Sequence, residues 1–525
     1  MNVIPYGPHA LLLRFAEQAD AAAFDLSRSL IARLERDPPA GLREIVPAFT
    51  TVLLVFEPAA MSAATAQFRD STWSFSSESG SPAASRLIEI PVHYRGPDLS
   101  RVAELAGLAV EDVVHLHATP EYRVHCLGFS PGFPYLGGLD SRLHTARLPS
   151  PRPRVPAGSV AIGGEHTGIY SIPSPGGWNL IGSTTESLFD AGAPDVDTMF
   201  RLRAGDRVRF TATSSESAAS WSEAKAPGPL GLPSMPDPGG VLEIVATGLG
   251  LTLQDQGRPG FGRFGVPVGG AMDPVAAAWA NRLLDNPLDA PVLELCLQGQ
   301  RLGVRNDGWV AITGNEGALS ATRPKWSAFR VRAGETLEFP PGAHGVWSYL
   351  AVPGGFAADR FLGSASSNPR AGIGTSLVTG STLGVAIHAP FVPPTSTATR
   401  RVPWTEIPGF NRDTPLRVWP GPQWDTFTEA TREQFFSATW TVSSQCDRVG
   451  YRILGPPLLA ESAQIISEPV LPGTIQIPAG GQPIVTMPDG PTLGGYPKLG
   501  WVDPSDLPSL AQCRPGQTVR FSLVQ

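Results

Sequence analysis

Lysine is nearly absent from this 525-residue chain: of 40 basic residues only Lys225, Lys325 and Lys498 are lysines. Chemistry that needs an amine nucleophile or a phosphate-loop lysine is therefore restricted to three positions, of which only Lys498 lies in a motif-rich segment. Cysteine is equally sparse. Cys126, Cys296, Cys446 and Cys513 are scattered singletons without a CxxC pair, which suits free thiols in a reducing compartment. No run of 18 apolar residues occurs, and MNVIPYGPHALLLRF lacks a basic segment before its short apolar stretch, so the reading is a cytoplasmic protein without a membrane partner. Positive charge is not in excess: the formal net charge is −7, which argues against nucleic acid as a partner. Missing too are a G-x-x-x-x-G-K-[ST] loop, a G-x-G-x-x-G turn and a G-x-S-x-G elbow.

What the chain has in abundance is glycine (57) and proline (54), together with 42% apolar residues. That mixture predicts short strands joined by tight turns, hence a mainly β protein of three or four domains. Helices are few: Ala16–Arg36, one or two within Asp98–Val114, and a run to Leu284 capped by Asp273-Pro274. Val46–Phe56 reads as a strand, and with the first helix makes a small α/β cap. Residues 211–240, rich in small and polar residues, read as a linker. The pattern R-[AP]-G-x-x-[VL]-x-F recurs at Arg203–Phe210, Arg332–Phe339 and Arg514–Phe521, and each copy is expected to end a β-unit.

Three segments concentrate the chemistry. In the first half, YRVHCLGFSPGFPYLGGLD and PSPGGWNLIGST set Phe129, Pro131, Gly132, Phe133, Gly176, Gly177 and Trp178 around a concavity, while Arg147, Arg152 and Arg154 lead into Gly158-Ser159 and offer cations to an acid. His115, His117 and His125 lack a fourth ligand at suitable spacing, so no metal site is expected, and His125 and Cys126 as strand neighbours point apart. In the second half, TLQDQGRPG supplies Gln254, Asp255 and Arg258. The third segment carries Asp447, Arg448, Arg452, Gln476, Gln482, Asp489, Gly494, Gly495, Tyr496 and Lys498 interleaved with glycine, a charge-balanced set suited to an amide or an acid.

These strings resemble two families joined in one chain. GFSPGFPYLGGLD, PR-x-R-VPAGSVAI and PSPGGWNLIGST resemble the B-type component of 5-oxoprolinase, also called KipI. TLQDQGRPG, GVPVGGAMDP, LAVPGGF, CDRVGYRILG, GTIQIPAGGQPI and GGYPKLG resemble the C-type component, or KipA, and the pair is also known as allophanate hydrolase subunits 1 and 2. The resemblance implies cyclophilin-like β-barrel domains: a cap at 1–82, a barrel at 83–212, a linker at 213–239, a first β subdomain at 240–345 and a second β-barrel at 346–525. It also implies an ATP-dependent cyclic amide hydrolase component, inactive without a separate A-type 5-oxoprolinase partner, that opens 5-oxo-L-proline to L-glutamate with ATP and Mg2+ at a site the sequence does not locate. In that reading Lys498, Asp447, Asp489, Gln476 and Gln482 are catalytic, and His125, Phe129, Pro131, Gly132, Phe133, Arg147, Arg154, Gly158, Ser159, Gly176, Gly177, Trp178, Gln254, Asp255, Arg258, Arg448, Arg452, Gly494, Gly495 and Tyr496 bind substrate. The alternatives are a KipI/KipA-like regulator of a histidine kinase or a component of a biotin-dependent urea carboxyltransferase; the chain has no biotin-acceptor Met-Lys-Met, and a homo-oligomer is left open. The family pattern differs at Gly269, where Ser is expected, at Ala365 within an SRST-like string, and at Gly490 within a DRQT-like string.

Overall fold

The computed structural model describes residues 1–18, 21–69, 85–214, 240–315, 318–320, 323–342, 344–386, 399–409, 414–462 and 465–524. Most of the expected linker at 213–239 and the end of the expected cap lie outside these residues.

The cap is a four-stranded antiparallel sheet covered by helices Ala21–Arg36 and Met61–Arg69. Val46–Phe56 is not one strand. Leu42–Pro47 and Thr51–Phe56 pair as a hairpin, because Ala48 to Thr50 turn the chain and Ala48 N bonds Thr51 O. One face of the sheet buries Leu11, Leu13, Val52 and Leu54 against Leu30 and Leu34 of the first helix.

A seven-stranded sheet follows and curls into a barrel. Arg207–Ala212 pairs in parallel with Leu87–Val92, and a bridge between His93 and Ser183 joins that strand to the opposite edge. Helices Leu99–Ala106 and Val110–Ala118 lie over it, so His115 and His117 sit on a helix rather than a strand. His117 is buried, with its ring nitrogens bonded to the hydroxyls of Tyr94 and Thr167.

The second half contains a four-stranded and a six-stranded sheet, then an eight-stranded barrel. Trp347–Ala351 pairs with Val292–Cys296 on one side and Gly308–Gly314 on the other. The expected division at 345/346 therefore cuts a sheet that extends to Arg400–Arg401, and the final barrel begins with Leu416–Pro420. That barrel closes through the last copy of the sequence repeat, since Thr518–Val519 pairs with one edge and Phe521–Leu523 runs parallel to Leu416–Pro420 at the other. The first and last copies thus close barrels. The middle copy contributes Thr336–Glu338, an edge strand of the four-stranded sheet, and is followed by more of the same unit.

The halves share one core. Tyr6, Leu12 and Phe49 of the cap, Phe133, Tyr135 and Trp178 of the first barrel, and Leu471, Leu493 and Trp501 of the last barrel pack as a single cluster. Gly132 N donates to Phe264 O at 2.8 Å, and Gly262 N to Glu44 Oε1 at 2.7 Å. No helix among the described residues is long and apolar enough to cross a membrane.

Candidate functional site at the seam of the two halves

A cavity of about 540 Å³ opens where the GFSPGF turn faces the second half. Phe129, Pro131, Arg154 and Pro173 form one wall, and Asn368, Pro369, Arg370, Val449, Asp489 and Pro491 the other. The volume suits a small molecule, and the many prolines make the walls stiff before anything binds. Phe129 adopts φ 67°, a conformation that a bulky residue holds only when its surroundings enforce it. Pro131 O accepts the Ser171 hydroxyl at 2.5 Å, which fixes the turn.

Two charged groups define the cleft's polarity. Arg154 is exposed and makes no ion pair among the described residues, so its guanidinium is open to an incoming acid. Asp489, 9% exposed, is gripped by Arg448 through Nε at 2.7 Å and Nη2 at 3.1 Å. Arg448 also donates to Glu294, to Gly270 O at 2.8 Å and to Gln254 at 3.4 Å. Burial works against the Arg448 charge, but Asp489 and Glu294 outweigh it and leave the guanidinium more basic than usual. Burial raises the Glu294 pKa with Arg448 opposing. Arg448 is thus the hub that aims one carboxylate at the cleft while neutralising a second behind it.

Gln254, Asp255 and Arg258 stand behind this wall. Gln254 donates to Thr252 and Ser367 O. Asp255 accepts from the hydroxyls of Ser364 and Ser366 at 2.6 Å each and from Ala365 N at 2.7 Å, so it shapes the loop that presents Asn368 and Arg370. Arg258 reaches Ser366 O, and burial lowers its pKa to about 10. Its Nη1 has no hydrogen-bond partner among the described residues and lies 3.0 Å from where a Cβ would stand on Gly269, so the missing side chain there leaves room for the guanidinium. Asp447 caps the turn at Val449 and Gly450 and pairs with Arg370 at 2.7 Å at the cleft edge.

Several expected site residues lie elsewhere. Lys498 is not an open catalytic amine: it is 0% exposed, and its Nζ meets Glu468 at 3.1 Å. The same carboxylate accepts from Arg14 at 3.0 Å and Gln423 at 2.8 Å. Burial would raise the Glu468 pKa, but Lys498 and Arg14 hold it low; burial also pulls the Lys498 pKa down against the pull of Glu468. Gln476, opposite Lys498 in register, donates to Thr486, and Gly494 packs against its amide. Gly495 packs by Ser467, whose side chain bonds Tyr135, and Tyr496 is exposed. Gln482 clasps Gly455 through both amide atoms and takes no part in either cluster. Arg452 points outward from its strand.

In the first barrel, Arg147 lies 5.8 Å over Trp178, and Phe133 packs edge-on to the same ring. His125 is walled in by Phe24, Phe49 and His166, and burial lowers its pKa to about 4. Ser159 bonds Pro156 O, Gly158 N bonds Tyr170 O, Gly176 lies under the Tyr170 hydroxyl and Gly177 beside Pro151. These residues build the barrel wall rather than the cleft surface. Sequence reasoning missed Glu294, Glu468, Asn368 and Arg370. Glu294 had a signal, a lone acid inside the apolar strand Val292–Cys296.

Two barrel-bearing halves that meet over a shared cleft define a carboxyltransferase-type protein. The family model described as carboxyltransferase domain, subdomain C and D, matches residues 1–199, and that for subdomain A and B matches residues 264–523. The chain is 35% identical over 286 residues to the C-type 5-oxoprolinase component of Escherichia coli K12, covering 54% of this chain and 90% of that one. It is 36% identical over 230 residues to the B-type 5-oxoprolinase component of Bacillus subtilis 168, covering 41% and 95%. The crystal structure of TTHA0988 is similar along nearly the whole length, at 36% identity and TM-score 0.85, covering 98% of this chain and 99% of that one. The chain belongs to the family of 5-oxoprolinase B-type and C-type components and carries both types in one polypeptide.

Proposed function

We propose that this chain combines the roles of the B-type and C-type components in an ATP-dependent 5-oxoprolinase, a cytoplasmic enzyme completed by a separate A-type partner protein. The relatives named as the two 5-oxoprolinase components support the reaction class. The observation that carries the proposal is the cleft itself: one wall comes from the B-type half and one from the C-type half, with a cation that makes no ion pair among the described residues on the first and an oriented carboxylate on the second.

A lactam is an unactivated amide, so ring opening needs a held substrate, stabilised charge and a group to move protons. Arg154 takes the substrate carboxylate, the apolar walls of Phe129 and the prolines receive the ring, and Asp489, aimed by Arg448, orients the attacking water and accepts its proton. ATP supplies the driving force for opening the amide. Because the sequence has no G-x-x-x-x-G-K-[ST] phosphate loop, nucleotide binding is assigned to the partner in this reading.

The test mixes the purified chain with an A-type partner and ATP, and follows glutamate and ADP with 5-oxo-L-proline. Glutamate formed in step with ADP supports the proposal. Turnover of urea with a biotinylated carrier, and none of 5-oxo-L-proline, would transfer the cleft to the carboxyltransferase reading.

A further inference from the structure

Trp326, 4% exposed, is held at φ 61° between the short strand Arg323–Pro324 and Ser327–Val331. Its backbone N donates to Ile312 O at 2.6 Å and its indole to Gly314 O at 2.8 Å, so the sheet enforces a conformation a bulky residue otherwise avoids. This break in the strand turns the preceding residue, Lys325, inward to 8% exposure. The ammonium donates to Asn315 and, at 3.0 Å, to the Ser348 hydroxyl, which donates in turn to Asn315 Oδ1 at 2.9 Å. Gly345, itself left-handed at φ 82°, presses against Asn315 from the other side.

The charge inventory of this site is one-sided. Among the described residues no carboxylate pairs with Lys325, and the charged group acting on it is Arg514, of the same sign. Asn315 is 0% exposed and its Nδ2 has no acceptor. A buried cation without a counter-charge is costly, and burial together with Arg514 draws the amine toward its neutral form, with a pKa of about 8. A neutral amine is a nucleophile, the buried Asn315 NH2 beside it is a donor without an acceptor among the described residues, and the field of Arg514 favours an anion there. Lys325 is 8% exposed, which restricts the class of partner to a very small electrophile.

We propose that Lys325 is a carbamylation site: its Nζ reacts with carbon dioxide, and Asn315, Ser348 and the field of Arg514 hold the product. The ammonium first releases one proton to solvent. The amine lone pair then forms a bond to the CO2 carbon while one C=O electron pair moves onto oxygen, and a second proton leaves nitrogen for solvent, giving the carbamate anion. The site thereby exchanges a cation for an anion in the field of Arg514. The inference does not depend on the lactam chemistry.

The experiment equilibrates the full chain with 13C-bicarbonate, traps carbamates with an alkyl-oxonium reagent and maps the peptides by mass spectrometry. The expected result is labelled adduct on the peptide bearing Lys325, none on those bearing Lys225 or Lys498, and its loss in Lys325→Arg. Asn315→Asp supplies a carboxylate that keeps the amine protonated, and is expected to cut the label at least tenfold with an unchanged circular-dichroism spectrum. Absence of adduct at Lys325 in the folded wild type, equal label at the Met1 amine, or unchanged label in Asn315→Asp would overturn the proposal. Should Lys325→Arg fail to fold, the wild-type map and Asn315→Asp decide it.

Discussion

Replacing Glu468 should harm the molecule far more than replacing Lys498, although Lys498 is the residue that stands out in the sequence. The Glu468 carboxylate accepts from Arg14, Gln423 and Lys498 at 3.0, 2.8 and 3.1 Å, and the Lys498 side chain is 0% exposed. Glu468→Gln leaves the buried Lys498 ammonium without its counter-charge and Arg14 with only the exposed Glu17, and breaking a buried pair in this way costs about 3–5 kcal/mol. Lys498→Met removes one bond to a charged acceptor, about 1.5–3 kcal/mol, but also the desolvation of a fully buried ammonium, and Glu468 keeps Arg14 and Gln423. At mid-range the difference between the variants is therefore about 2 kcal/mol. Hydrogen exchange of the peptides covering Lys498–Val502 reads the local opening free energy without assuming a single transition for a multi-domain chain. If Lys498→Met opens this strand as readily as Glu468→Gln, or more readily, Lys498 is not a satisfied internal partner and the reasoning fails.

Arg448→Met should lower the melting temperature of the second half, because Asp489 and Glu294 lose their shared cation at a cost of about 3–5 kcal/mol, and adding Glu294→Gln should recover part of the loss in the same melt. Arg154→Ala should raise KM for an acidic lactam at least tenfold with little change in kcat, whereas an equal fall in kcat with unchanged KM would deny it a substrate contact. His117, His125 and His166 are held neutral by burial, with pKa values lowered to about 3, 4 and 3. The unfolded chain therefore binds more protons below the ordinary histidine value, and stability falls as pH drops through 6.5 toward 4, by on the order of 2 kcal/mol per histidine at pH 5. Urea midpoints that stay flat between pH 7 and 5 would contradict this. Gly490→Arg, which restores the family pattern, should destabilise, since a Cβ there stands 2.2 Å from Thr486 Cγ2 and 2.9 Å from two backbone oxygens; a thermal melt checks it.

The barrels were legible because their signals are local. Turn glycines at 205 and 516 each precede alternating residues, and the parallel partners that make those strands close a ring lie more than a hundred residues away, where no local pattern reports them. The same contrast governs the site. Phe129, Pro131, Arg154 and Asp489 sit in Gly/Pro-rich strings that mark a constrained surface, and the cleft gathers them. Lys498 shared that signal, but its meaning depended on Glu468, thirty residues earlier and outside any motif. Gln482 likewise clasps the Gly455 backbone, whereas the Gln476 amide donates to the Thr486 hydroxyl. Glycine-rich context marks where the backbone is tightly held; whether a polar side chain there faces a ligand or an internal partner is decided by tertiary register. The subdomain boundary was misplaced for a related reason: the strand at Trp347 completes a sheet begun a hundred residues earlier, and the sequence carries no cue to that pairing.

The central claim is that one chain does the work of two proteins through a cleft built by both halves. The most direct measurement is reconstitution: an A-type partner with ATP and 5-oxo-L-proline, given this single chain in place of separate B-type and C-type proteins. The account predicts glutamate release that needs both the chain and the partner and that falls sharply with Asp489→Asn in a folded variant. Glutamate release by the partner alone, or full activity in folded Asp489→Asn, would contradict it.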